Sequence, residues 1–582
     1  MIFTLKSWSN VHQRACAWKE KSRQQQIESL PVVYSEPLSS SEEKIHALSI
    51  SELVYQCRSG LISPSEIMST YGKKALSAQK ATNCVSDIMF LEALAIPSVA
   101  NWSRGVDSDS TNTADTGQDR PLLGVPISIK DTVDIQGHDT TIGFSRNVGK
   151  PAKSSAAIVN LLQDAGALIH AKTTVPTALL AIETNSDVFG HTSNPYNHAY
   201  TCGGSTGGGA ALVASGGSKI EIGTDIGGSV RIPAHFCGIW SLKGSAGRFP
   251  RWGSAAPTDG LEGIEIIASP MAGNLNDLAE FWERVIRCKP WVYDHTCIPL
   301  PWRALNLRED GRRLKWGIIW EDGTIPPAPA CRRALSLVIS ALRKQGHEVV
   351  NFEPPDIVGC LLLGYQLLFS DGGQQILNLL SPSERLGTPA KSVIDLLRLP
   401  RFFKRLLSFS TRKTDPLATA FAQILHKKTV VEERELVVAR DRYRAKWHEK
   451  WTEEGLDLVL TVPHALPAFE HGASAKATLV SAGYNFIFSV LDYTAGVLPV
   501  TVVDRVADAL PQGFFSSRQY TSMNGASQGA YSVYDAKKMH GLPVGVQIVG
   551  KRLEEEKVLE GMKIIEAALR EQGTVFSGKP AL

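Results

Sequence analysis

Residues 203–233 read GGSTGGGAALVASGGSKIEIGTDIGGSVRIP. Two glycine-serine loops flank a short helix signal, AALVASGG (210–217), and a strand signal, KIEIGTD (219–225). Loop, helix, strand and loop in that order make an alternating α/β unit. Glycines in such loops accept unusual backbone angles and let a substrate come close to the main chain. Each loop holds a serine, Ser205 in the first and Ser229 in the second.

The same alternation continues on both sides. LLGVPISIKDTVDI (122–135) reads as a β-rich run ending in a polar turn. SSAAIVNLLQDAG (154–166) reads as a helix capped by serine at its start and glycine at its end. ALIHAKT (167–173) follows as a strand, and LPVGVQIVG with KVLEGMKIIEAALREQG closes the chain as strand and helix. Leu48 to Leu76 has helical period, and Tyr484 to Val503 reads as a buried helix and strand. SRGVDSDSTNTADTGQDR (103–120) is polar and predicts a surface loop. The expected fold class is α/β, one large domain with a central sheet and helices on both faces. Its span is residues 46–575, preceded by a charged helical extension over 1–45 that ends in the polar SEPLSSSEE.

Composition removes several classes. The chain has 582 residues, 43% hydrophobic and 20% charged, which is ordinary globular composition. A net charge of +3 is too small to argue for nucleic acid as a partner. Nine scattered cysteines contain no CxxC pair, so a reducing, cytoplasmic location is expected. The first residues lack the pattern of a secretory signal, and no window of about 18 residues is apolar enough to span a bilayer.

GGSTGGG admits four readings. A flexible turn is the default. A phosphate loop needs a Lys that does not follow, and a dinucleotide loop needs a strand that NPYNHAYTC does not resemble. Residues 203–207 match G-x-S-x-G, the elbow of an esterase-type serine hydrolase. That elbow also needs a lead-in strand and marked Asp and His partners. GTDIGGSVRIP competes as the reacting loop, because N–H groups in such a turn converge on an anion. A serine needs a base. Lys130, in GVPISIKD, ends an apolar strand where desolvation favours its neutral form. Ser–Lys chemistry is a recognised alternative to Ser–His–Asp.

GVPISIKD, GGSTGGGAALVASGG and GTDIGGSVRIPAHFCGIWSLK together resemble the amidase signature family. The resemblance extends over NPYN (194–197), SPMAGNLNDLA (269–279) and GLPVGVQIVGKRLEEEKVL (541–559). It is nearest to the branch holding fatty acid amide hydrolases and acetamidases, on GHDTTIGFSRNVGKPA (137–152), LFSDGG (368–373) and KPWVYDHTCIPLPWR (289–303). It implies the amidase signature fold, a large twisted mixed sheet covered on both faces by helices. It implies amide hydrolysis through an acyl-enzyme, with Ser229 as nucleophile, Ser205 as bridging serine on a cis peptide bond to Gly204, and Lys130 as terminal base. It implies an oxyanion hole from the N–H groups of Ile226, Gly227, Gly228 and Ser229. Leu179 and Leu180 would line the acyl side. No metal or organic cofactor is required, and the partner is a small-molecule amide.

LRLPRFFKRLLS (397–408) resembles the membrane-docking cap of the fatty-acid branch. Leu399, Phe402, Phe403, Leu406 and Leu407 fall at helical spacing, with Arg398, Arg401 and Arg405 together on another face. The expectation is an amphipathic helix over 398–413 that lies on an anionic bilayer. Packing on the protein or a homodimer interface would use the same face. Three departures bear on activity. Thr206 stands where the family has serine, Gly209 where it has Glu, and Gly244 where it has Pro. They are the basis for a third reading, a non-catalytic binding protein on the same scaffold.

Overall fold

The computed structural model describes residues 2–100, 120–578 and 580, and the loop expected over 103–120 lies almost wholly outside them. Eleven strands form one mixed sheet. In chain order they are β1 (Val85–Ile88), β2 (Pro126–Lys130), β3 (Leu168–Thr173), β4 (Ile220–Asp225), β5 (Trp240–Lys243) and β6 (Ile267–Ala272). After these come β7 (Lys315–Ile318), β8 (Glu348–Asn351), β9 (Leu458–Thr461), β10 (Ala495–Val502) and β11 (Pro543–Val549). The spatial order is β1-β3-β2-β4-β6-β5-β10-β11-β9-β7-β8. β2 runs parallel to β3 and β4, and β7 runs parallel to β8 and β9. The remaining neighbours are antiparallel. Helices cover both faces, which is the expected α/β class.

Strands β2, β3 and β4 are buried along their whole length. Such strands are normally continuous apolar runs. Here Ser128, Lys130, Thr173 and Glu221 interrupt them, all fully buried. Register places Ser128 beside Glu221 and Lys130 beside Thr173. The centre of the sheet therefore carries a polar layer that needs internal partners.

Seven helices matter for that layer and its surroundings: α1 (Ile2–Glu28), α2 (Ser40–Ala47), α3 (Ala157–Asp164), α4 (Gly207–Ala214), α5 (Arg231–Cys237), α6 (Thr388–Arg398) and α7 (Arg401–Thr411). α1 is tied to β1. Lys19 pairs with Asp87 at 3.2 Å and Arg23 donates to the Val85 carbonyl at 3.0 Å. The polar SEPLSSSEE does not end the extension. Ser39 and Glu42 within it form a capping box that starts α2, so a boundary at 45/46 falls inside a helix. Ser154 does not cap the next segment. α3 starts after Ala156, and the Ser155 hydroxyl accepts from the Gln136 N–H at 3.0 Å. Leu48–Leu76 divides into helices Ile50–Arg58 and Pro64–Thr82. NPYNHAYTC does contain a strand. Asn197–Thr201 pairs with Ser193–Asn194 in a separate two-stranded sheet.

The cap segment differs from the expected single helix. Pro400 breaks it, Leu399 is extended, and the helices are α6 and α7. Proline has no N–H to donate and disfavours helical angles in the residue before it. On α7, Phe402 is 72% exposed and Phe409 is 82% exposed. Phe403, Leu406 and Leu407 are exposed beside them. Among the described residues no helix is long and apolar enough to cross a membrane.

Candidate active site

The first glycine loop and the start of α4 are one unit. Gly203 has a left-handed φ of 86°, the Gly204–Ser205 peptide bond is cis, and Gly207 to Gly209 form the first helical turn. Small residues are required at that turn because the helix lies against the sheet. A Cβ at Gly208 would come within 2.5 Å of the Thr174 main chain. The loop brings Ser205, fully buried, over the end of β2. Lys130 Nζ donates to Ser205 Oγ at 2.8 Å, and to the Thr224 carbonyl and hydroxyl at 3.1 Å each. Lys130 itself is completely buried. Burial pulls its ammonium down to about 7, against the opposing charges of Asp225 and Glu221. A lysine there exchanges protons near neutral pH.

The second loop turns between β4 and α5. Asp225 at the end of β4 and Arg231 at the start of α5 close it. Arg231 Nη2 donates to Asp225 Oδ1 at 2.9 Å and Nε donates to Oδ2 at 3.1 Å. Arg231 also reaches the Asn485 carbonyl, Gln547 and Ser489. Burial opposes charge on Asp225, but Arg231 and neighbouring Lys243 hold its carboxyl below the usual range. The Thr206 N–H donates to the Ser229 carbonyl at 3.0 Å, so the two serine loops are joined by a main-chain bond.

One expected oxyanion donor is engaged elsewhere. The Gly228 N–H donates to Asp225 Oδ1 at 2.8 Å, because a buried carboxylate gathers the nearest donors. Among the described residues no hydrogen bond occupies the N–H groups of Ile226, Gly227 or Ser229. These three residues are half-buried and border a cavity of about 60 Å³. Gly204, Leu179, Leu180, Tyr365, Leu368 and Phe486 also line it. Neither a histidine nor a charged side chain does. The lining is mostly apolar, with the unengaged backbone N–H groups of the turn and the hydroxyl-bearing residues Ser229 and Tyr365.

The three departures have structural settings. The Thr206 hydroxyl is buried with no partner, so the residue bonds through its main chain alone: its N–H to the Ser229 carbonyl and its carbonyl to the Ala210 N–H. Gly244 lies under Trp282, and a Cβ there would come within 2.7 Å of the ring. Gly209 lies against Glu221, whose Cδ a Cβ would approach to 2.2 Å. Thr224, Asp225 and Arg231 were not singled out by sequence. All three sit inside the opening stretch, and for the last two a charge in a run of small and apolar residues was the signal.

The amidase family model matches residues 66–559 of this chain. The chain belongs to the amidase family. As a member it is an amide-hydrolysing enzyme. Among curated relatives, it is 32% identical to the "Acetamidase" of Aspergillus oryzae, over 90% of each chain. It is also 32% identical to "Fatty-acid amide hydrolase 1" of Sus scrofa, covering 90% of this chain and 86% of that one. Among solved structures, a "Fatty acid amide hydrolase" superposes with a TM-score of 0.81 at 25% identity, covering 96% of each chain. A 6-aminohexanoate cyclic dimer hydrolase shares the fold, with a TM-score of 0.66 at 21% identity.

Proposed function

We propose that this amidase cleaves apolar acyl amides to the acid and ammonia or an amine, with Ser229 as nucleophile. The observation that carries this reading is the Lys130–Ser205 hydrogen bond of 2.8 Å, buried beside the turn that holds Ser229. Neutral Lys130 takes the proton of Ser205 while Ser205 takes that of Ser229. Ser229 Oγ then attacks the amide carbonyl carbon. The N–H groups of Ile226, Gly227 and Ser229 face the developing oxyanion. The relay returns the proton to the leaving nitrogen as the C–N bond breaks, and water cleaves the acyl-enzyme by the same route. An acyl group enters the pocket of Leu179, Leu180, Tyr365 and Phe486, which offers it no charged partner.

The test is Ser229→Ala, which should remove both amide turnover and labelling by a fluorophosphonate. Labelling that persists at Ser205 in that variant would favour the esterase elbow instead. A screen of acetamide, benzamide and oleamide would place the acyl preference.

A peripheral membrane role for α7 is part of the same reading. Four large apolar side chains on one short helix, Phe402, Phe403, Leu406 and Phe409, are each more than half exposed. Arg401, Arg405 and Arg412 border a recess beside them. That pairing of apolar and basic groups suits an anionic bilayer surface.

A further inference from the structure

The relay leaves one buried carboxyl unused. Glu221 is fully buried in β4, beside Ser128 of β2. Ser128 Oγ donates to it at 2.5 Å and Thr173 Oγ1, from β3, at 2.6 Å. Overhead, α4 presents Gly209, and a Cβ there would fall 2.2 Å from Glu221 Cδ and 2.3 Å from Oε1. The carboxyl occupies that space because residue 209 has no side chain.

The charges around it are unevenly shared. Asp225, the other carboxylate acting on Lys130, is clamped by Arg231 with Lys243 near it. Lys172 of β3 pairs with Asp131 at 3.2 Å. Met271 of β6 stands opposite Glu221 across the ladder, and the Cys84 thiol ahead of β1 feels its charge but keeps its proton. Lys130 is the cation whose field reaches Glu221.

We propose that Glu221 is a positioning residue for the base: its buried carboxyl sets how readily Lys130 holds a proton, and Gly209 admits it. This rests on the reading of Lys130 as terminal base. A negative charge near the ammonium favours the protonated form, so removing it lets Lys130 lose its proton at lower pH. Burial pushes the Glu221 carboxyl up to about 7, the range in which Lys130 titrates, so each group's charge influences the other's titration.

The experiment is the pH dependence of kcat/KM on one amide for the wild type, Glu221→Gln, Thr173→Val and Lys130→Ala. Glu221→Gln should move the acid limb down by about one pH unit. Thr173→Val removes one donor from the carboxylate, so it should move the limb the same way by less. A purely structural role for Glu221 would lower the rate equally at every pH and leave the limb in place, which overturns the proposal. Where Glu221→Gln does not fold, Thr173→Val decides, and an unmoved limb in it is likewise fatal. Wild-type turnover by Lys130→Ala would sink the reading of the base itself. An inactive Lys130→Ala with an unmoved limb in Glu221→Gln sinks this inference alone.

Discussion

Asp225 and Arg231, six residues apart, form a two-point ion pair with both side chains fully buried. The pair spans the turn that carries Ile226 to Ser229, and the same carboxylate accepts from the Gly228 and Val230 N–H groups. The geometry of the second glycine loop is thus fixed by a charge and its counter-charge. Arg231→Met leaves Asp225 without its ion-pair partner in the interior. Its expected cost is about 3–5 kcal/mol of stability, the usual consequence of removing one partner of a buried pair. Denaturant unfolding checks this. A loss of under about 1 kcal/mol would mean that the backbone donors alone satisfy Asp225.

As the proposed base, Lys130 would act only when neutral. Its ammonium is held down to about 7 by burial, so the active form grows as pH rises through that value. The acid limb of kcat/KM should lie near pH 7, with activity falling about tenfold per unit below it. A rate profile between pH 5 and 9 measures this. An acid limb near 10 would describe a solvated lysine, and a flat profile would remove Lys130 from the proton path.

Thr206 contributes through its main chain. Its N–H bonds the Ser229 carbonyl at 3.0 Å, while its hydroxyl is buried without a partner. Thr206→Val keeps the shape and removes an unsatisfied polar group. Stability should stay level or rise by about 1 kcal/mol, with amide turnover retained. A large loss of turnover would show that the hydroxyl acts in the reaction.

The approach of Lys130, Ser205 and the Ser229 loop to one another was legible because each lies in a short local pattern of glycines or alternating apolar residues. Strands β2, β3 and β4 were legible for the same reason. The elements that were misread depend on contacts across the chain or on one dominant residue. The start of α3 moved because Ser155 serves a turn at Gln136 instead of its own helix. The helix over 398–413 is divided because one proline outweighs a continuous apolar period. The bond of the Gly228 N–H to Asp225, three residues back, follows a path that no spacing reveals. Glu221 had a signal, a lone acid between two isoleucines in a buried strand. Its relation to Gly209 is a tertiary contact that the sequence alone does not display.

The exposed face of α7 makes a separate prediction about location. Burying Phe402, Phe403 and Phe409 in a bilayer interface would remove apolar area from water at roughly 25 cal/mol per Å². Arg401 and Arg405 would add attraction to anionic headgroups, worth about 1 kcal/mol per basic residue near the surface. Charge reversal at Arg401→Glu with Arg405→Glu should therefore weaken co-sedimentation with anionic liposomes more than with neutral ones. Phe402→Ser with Phe409→Ser should weaken both. Turnover of a small soluble amide should be preserved in both double variants, since none of these side chains borders the cavity at Ser229. Absence of liposome binding by the unaltered protein would assign the apolar face to a protein contact instead.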